Sequence, residues 1–133
     1  MDRRFGRGAG QSFASASSQY GTTPDTSTIS FGHGTTDTAF SVLVLANVTD
    51  TAANRVLLSK WNAGTASEWM LIVNSTDVLQ LFLFDQSSAG LPSRASNSAI
   101  TQGSWRLFGA TYSAATGGAT AANDIKEGSD VTG

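Results

Sequence analysis

The chain has 133 residues, a net charge of −2, 40% apolar and 14% charged residues, and no cysteine. That length holds one core, and the charge leaves no electrostatic footprint for nucleic acid or an anionic membrane. The missing thiols exclude disulfides and thiolate metal centres. No apolar run approaches the length of a membrane span.

In chain order, residues 1–12 come first as a flexible basic arm. "MDRRFGR" carries Arg3, Arg4 and Arg7, three of the eight basic residues, against Asp2. Gly6, Gly8 and Gly10 loosen it, so it is read either as a solvated terminus or as an arm that docks on a neighbouring subunit. The first thirty residues lack the apolar centre of a signal peptide, and Met1 is expected to be a plain translation start.

The remaining residues, 13–133, read as one β domain. Ser, Thr and Gly are poor helix formers, and short apolar runs recur between turn-rich spacers. "FSVLVLANV" (Phe40 to Val48) alternates Phe40, Val42, Val44 and Val48 with Leu43 and Leu45. Both faces are apolar, so the strand is expected to be covered on both sides or to lie centrally in a sheet. "RVLLSKW" (Arg55 to Trp61), "EWMLIVN" (Glu68 to Asn74) and "VLQLFLF" (Val78 to Phe84) follow. "STD" (Ser75 to Asp77) is short enough to close a hairpin between the last two. Gly90 and Pro92 exclude one long central strand in the next segment but leave room for a short edge strand near Ser93 to Ser96. "WRLFGATY" (Trp105 to Tyr112) is a further strand. Ser113 to Asn123 reads as a loop, and the last ten residues as a weak strand at most. No stretch shows a capped helical period.

The order of these runs resembles the laminin G-like, or concanavalin A-like, modules. "FASASSQYGTTPDTSTISFG" is similar to the opening of such a domain, "FSVLVLANV" to its Phe-Ser strand, and "LLSKWN" with "EWMLIV" to its paired strands. "LQLFLFD" and "GSWRLFGATY" are similar to the strands that follow. The resemblance runs from Phe13 to Tyr112. It implies an all-β fold: an antiparallel two-sheet β-sandwich of jelly-roll type, with little or no helix. Two departures stand out. Leu45 lies where the family has a tryptophan. After "NDIK" the family continues into a Tyr-Val-Asp-Gly hairpin and further strands, whereas here the chain reads "EGSDVTG". A shortened or an incomplete member is therefore expected, with a partner chain able to supply a missing sheet edge.

Trp61 and Trp69 flank the loop between two adjacent strands. One reading is core or rim packing, since aromatics bury the most area in a small β domain. The other is a platform that stacks a sugar ring, with Asn62 and Ser67 as hydrogen-bonding neighbours.

Catalytic constellations are sparse. Glycoside hydrolysis needs two carboxylates at a set separation, and the glutamates Glu68 and Glu127 share no alternating pattern along one strand. His33, the single histidine, has no second histidine or cysteine as partner and is read as an exposed loop residue. Calcium is the one metal worth weighing, because Asn74, Asp77 and Asp85 gather hard oxygen ligands around one hairpin; turn formation explains the same residues. Otherwise no cofactor is expected. "NVT" at Asn47 and "NST" at Asn74 match the glycosylation acceptor pattern, but no secretion signal accompanies them.

These readings point to a non-enzymatic recognition or structural module. The favoured form is a phage virion surface component, a capsid decoration or tail protein, on a virion or extracellular surface without a signal peptide. Its expected partners are other virion or surface proteins, glycans, or further copies in a homo-oligomer or larger assembly. The alternative is a polysaccharide-active hydrolase or lyase of concanavalin A-like fold, which would need Asp85, Glu68 or Glu127 to converge in space.

Overall fold

Apart from a 3-10 turn at Ser27–Ile29, the regular elements are all strands. The computed structural model describes residues 11–14, 17–33, 36–49, 52–62, 67–84, 90–115 and 125–129. In chain order the strands are β1 (Gly32–His33), β2 (Thr36–Asp37), β3 (Phe40–Asn47), β4 (Arg55–Lys60), β5 (Trp69–Val73), β6 (Val78–Leu83), β7 (Ser93–Ala99), β8 (Trp105–Tyr112) and β9 (Ile125–Ser129). β1 and β2 form a small ladder that puts the backbone of His33 in a strand rather than the expected loop.

Sheet one has the order β3-β8-β9 and sheet two the order β4-β5-β6-β7, with every pairing antiparallel. The two sheets pack face to face, giving an all-β sandwich. β8 matches "WRLFGATY" residue for residue, and the proposed edge strand after Pro92 extends to Ala99 as β7. The weak terminal strand is present as β9, which pairs with β8 from Tyr112↔Ile125 to Phe108↔Ser129.

Side-chain alternation decides which residues meet between the sheets. From sheet one come Phe40, Val42, Phe108, Ala110 and Tyr112; from sheet two come Trp69, Leu71, Val73, Leu79, Leu81 and Leu83. Leu71, Val73, Leu79, Leu81 and Phe108 are fully buried, each contributing about 1.5–3 kcal/mol through removal of apolar surface from water. Phe31, just before β1, stacks on Phe40 with ring centroids 4.2 Å apart, and Trp69 closes the cluster at about 6 Å from both.

The β5–β6 hairpin closes as expected. Asp77 takes the left-handed conformation at φ 64°, which aspartate tolerates better than most residues. Its N–H donates to the Asn74 carbonyl at 2.9 Å, and the Asn74 N–H donates to the Val78 carbonyl at 2.9 Å.

Neither alternative expected of β3 holds. β3 is not covered on both sides: among the described residues it lies at the edge of sheet one, with β8 as its sole ladder partner. Phe40 and Val42 face the core, whereas Leu43 and Leu45 are 64% and 63% exposed. The side chains of β3 alternate as expected, but two apolar faces do not by themselves supply a second covering layer.

Candidate functional site

Three places gather the residues singled out above. The first is the end of the sandwich where β4 runs into β5. Lys60 ends β4 opposite Trp69, which begins β5, so their side chains fall on the same, inward face. The Lys60 ammonium is buried there and lies 2.6 Å from Glu68 Oε1 and 3.2 Å from Asp25 Oδ1. It also donates to Ser30 Oγ. Burial alone would lower the Lys60 pKa, but the hydrogen bonds and charges of Glu68 and Asp25 outweigh it and hold the ammonium above its ordinary 10.5. A lysine held in its charged form is a poor nucleophile and a poor base.

Glu68 is committed to the same network. Its Oε2 accepts from the Phe31 N–H at 3.0 Å, and its own carbonyl accepts from the Phe84 N–H at 2.8 Å. This clasp ties the segment from Asp25 to Phe31 across the sandwich end. Neither the sugar platform nor the carboxylate search anticipated it. The sequence held half the signal: a lysine ends one strand and a glutamate opens the next, so a hairpin brings them together. Asp25, thirty-five positions upstream, carried no such hint.

The clasp also corrects the tryptophan platform. Trp69 is 8% exposed, its ring lies among Phe31 and Phe40, and its Nε1 donates to the Ile29 carbonyl at 3.3 Å. No face of the indole remains for a sugar. Ser67 is buried as well, with its hydroxyl donating to the Asn62 carbonyl at 3.1 Å. Trp61 is half-buried, edge-on to Phe84 at 5.6 Å, and Asn62 is exposed beside it. Trp69 thus packs in the core, and Trp61 stands at its rim against Phe84.

The second place is the β5–β6 hairpin proposed for calcium. Asn74 Oδ1 accepts from the Thr76 N–H at 2.9 Å, the Thr76 hydroxyl at 2.8 Å and the Val78 N–H at 3.3 Å, while Asn74 Nδ2 donates to Gln80 Oε1 at 3.0 Å. Asp77 Oδ1 accepts from the Ala52 N–H at 3.3 Å. The turn therefore engages the Asn74 side chain, and the Ala52 N–H, from outside the turn, engages that of Asp77. Asp85 lies outside the described residues, and among those described no group of three or more His, Cys, Asp or Glu side chains is placed to hold a metal. Arg3, Arg4 and Arg7 of the proposed docking arm also lie outside the described residues.

The third place was missed by sequence reasoning. On the outer face of sheet one, β3 presents Ser41, Leu43, Leu45 and Asn47, and β8 presents Thr111, Gly109, Leu107 and Trp105 directly opposite them. Leu43 leans over Gly109 so closely that a β-carbon there would meet Leu43 Cδ2 at 2.6 Å. Trp105 is 58% exposed. None of these eight residues is charged, so the face is an apolar strip with hydroxyl and amide ends. The alternation of β8 held the signal, because "WRLFGATY" puts Trp105 on the face opposite the buried Phe108.

A shallow hollow of about 400 Å³ opens beside the Phe40–Tyr112 end of the β3–β8 ladder. The Tyr112 hydroxyl there donates to Asp37 Oδ2 at 2.5 Å. Ala39, Phe40, Ser41, Thr111, Tyr112 and Ser113 line the hollow, and among them is no carboxylate or imidazole for acid–base work. Comparison with known protein families, curated proteins and solved structures returns no match to this chain.

Proposed function

We propose that this chain is a non-catalytic contact module, a sandwich of laminin G-like or concanavalin A-like type that sits on a virion or comparable particle surface. It docks by laying the outer face of sheet one on neighbouring protein subunits. The observation that carries this reading is the uncharged strip of Leu43, Leu45 and Trp105, each more than half exposed. Monomers seldom leave contiguous apolar surface open, and such patches mark interaction sites. The commitment of Glu68 to Lys60 and to the Phe31 N–H supports the same reading over hydrolysis, because a carboxylate so engaged is not free to protonate a leaving group.

A second, glycan-binding form draws on one observation. The exposed Trp105 lies opposite Asn47 in the β3–β8 register, which sets an aromatic face beside an amide. This replaces the buried Trp69 as the candidate stacking surface.

Purified particles from the source, analysed by quantitative mass spectrometry, test the docking form. The chain is expected in fixed stoichiometry, and Trp105→Ser is expected to reduce its retention without lowering its melting temperature. Retention unaffected by that change argues against the face. Loss of binding to a glycan array in the same variant favours the second form, and release of reducing ends from a polysaccharide panel rejects both.

A further inference from the structure

Among the described residues the sandwich has four edge strands, and three of them are guarded. β4 carries a register shift between Val56 and Leu58 and has Arg55 and Lys60 at its ends. β7 carries Arg94 and pairs with β6 across a second irregularity. The sequence of β9 includes Lys126 and Glu127. Charges and bulges of this kind keep an edge from pairing with another chain.

β3 has neither device. Its eight residues, "FSVLVLAN", hold no charge and no proline, and they pair with β8 in unbroken register from Phe40↔Tyr112 to Asn47↔Trp105. Among the described residues no strand pairs with its other edge.

We infer that the β3 edge is a docking site for the β3 of a second copy of this chain, extending sheet one into a continuous six-stranded antiparallel sheet. This goes beyond the reading of the outer face by assigning a partner to the edge. A two-fold contact sets the strand against its own reverse, so its polar and apolar positions must match about one central residue; in "FSVLVLAN" they match about Val44, and no charge interrupts the match. The two-fold axis runs perpendicular to the sheet. The core-facing sides of both copies then stay on one side, which requires the numbers of facing residues to sum to an even value.

The register centred on Val44 uses the strand most fully. It sets Leu43 opposite Leu45 of the second copy, Leu45 opposite Leu43, and Ser41 opposite Asn47. On the inner side it sets Val42 opposite Ala46. The leucines that stand exposed in one copy thereby gain cross-strand apolar partners, the pairing that stabilises sheets.

Sedimentation equilibrium of the full chain tests this. The wild type is expected at twice its monomer mass of 13.8 kDa. L43K/L45K sets like charges opposite each other at both positions and is expected to weaken the dimer by about tenfold or more. L43E/L45K sets opposite charges at both positions and is expected to restore it. W105S, on the neighbouring strand, is expected to leave it unchanged. Circular dichroism confirms that each variant folds. A monomeric wild type overturns the proposal, as does L43E/L45K behaving like L43K/L45K. A dimer broken equally by W105S overturns it too, because it would place the contact on the face. Failure here leaves particle attachment to be judged by its own assay, and a dimer that does not attach to particles sinks only the docking reading.

Discussion

The Lys60 ammonium lies 2.6 Å from Glu68 Oε1, and through this pair the start of the domain is fastened to the hairpin end of sheet two. The Phe31 N–H donates to the other Glu68 oxygen, and Phe31 in turn stacks on Phe40 of sheet one. One ion pair thus couples the N-terminal segment to both layers.

Removing the cation exposes how much the clasp contributes. Lys60→Met leaves the half-buried Glu68 carboxylate without its partner and is expected to cost about 2–3 kcal/mol of unfolding free energy. Urea titration at neutral pH measures this. A midpoint unchanged from wild type would show the pair to be energetically idle.

The same pair has a signature in alkali. The folded state raises the Lys60 pKa, so its stabilisation is present in full below about pH 10.5 and is lost as pH rises from there through the folded value. Wild-type stability is therefore expected to fall more steeply above that pH than the stability of Lys60→Met. Parallel alkaline slopes in urea titrations of the two proteins would contradict the assignment.

The two hairpin tryptophans should respond differently to truncation. Trp69→Ala empties a core position and is expected to cost about 3–5 kcal/mol. Trp61→Ala removes an edge contact with Phe84 and is expected to cost about 1 kcal/mol. Thermal unfolding of both variants separates core from rim, and equal losses would mean that the indoles share one environment.

Asn74 serves the β5–β6 turn with three accepted hydrogen bonds. Asn74→Ala is expected to destabilise by about 1–2 kcal/mol. Adding calcium or a chelator is expected to leave the wild-type melting temperature unchanged. A rise with calcium that disappears in Asn74→Ala would restore the hairpin as an ion site.

Gly109 and Leu43 should be coupled. In Gly109→Ala the new β-carbon displaces the Leu43 side chain, and a loss of about 1 kcal/mol is expected. In a Leu43→Ala background the same change should cost less, because the nearest obstacle is gone. A double-mutant cycle reads the difference directly, and additivity would show that the two residues do not meet.

Strand identity was legible in the chain because period-two alternation is a local property. "WRLFGATY" and the hairpin at Ser75 to Asp77 needed only neighbouring residues to declare themselves. The side of β3 that holds Leu43 and Leu45 could be read, and so could its apolar character. Whether anything covers that side depends on whether another layer packs against it, and layer packing is set by contacts between distant segments. Trp61 and Trp69 show the same division. Their aromatic character is written in the sequence, but the burial of Trp69 comes from Phe31 and Phe40 folding over it and from Asp25 and Lys60 closing the end. Local alternation declares a strand and its two faces; only the assembled sandwich determines which face stays wet and which edge stays open.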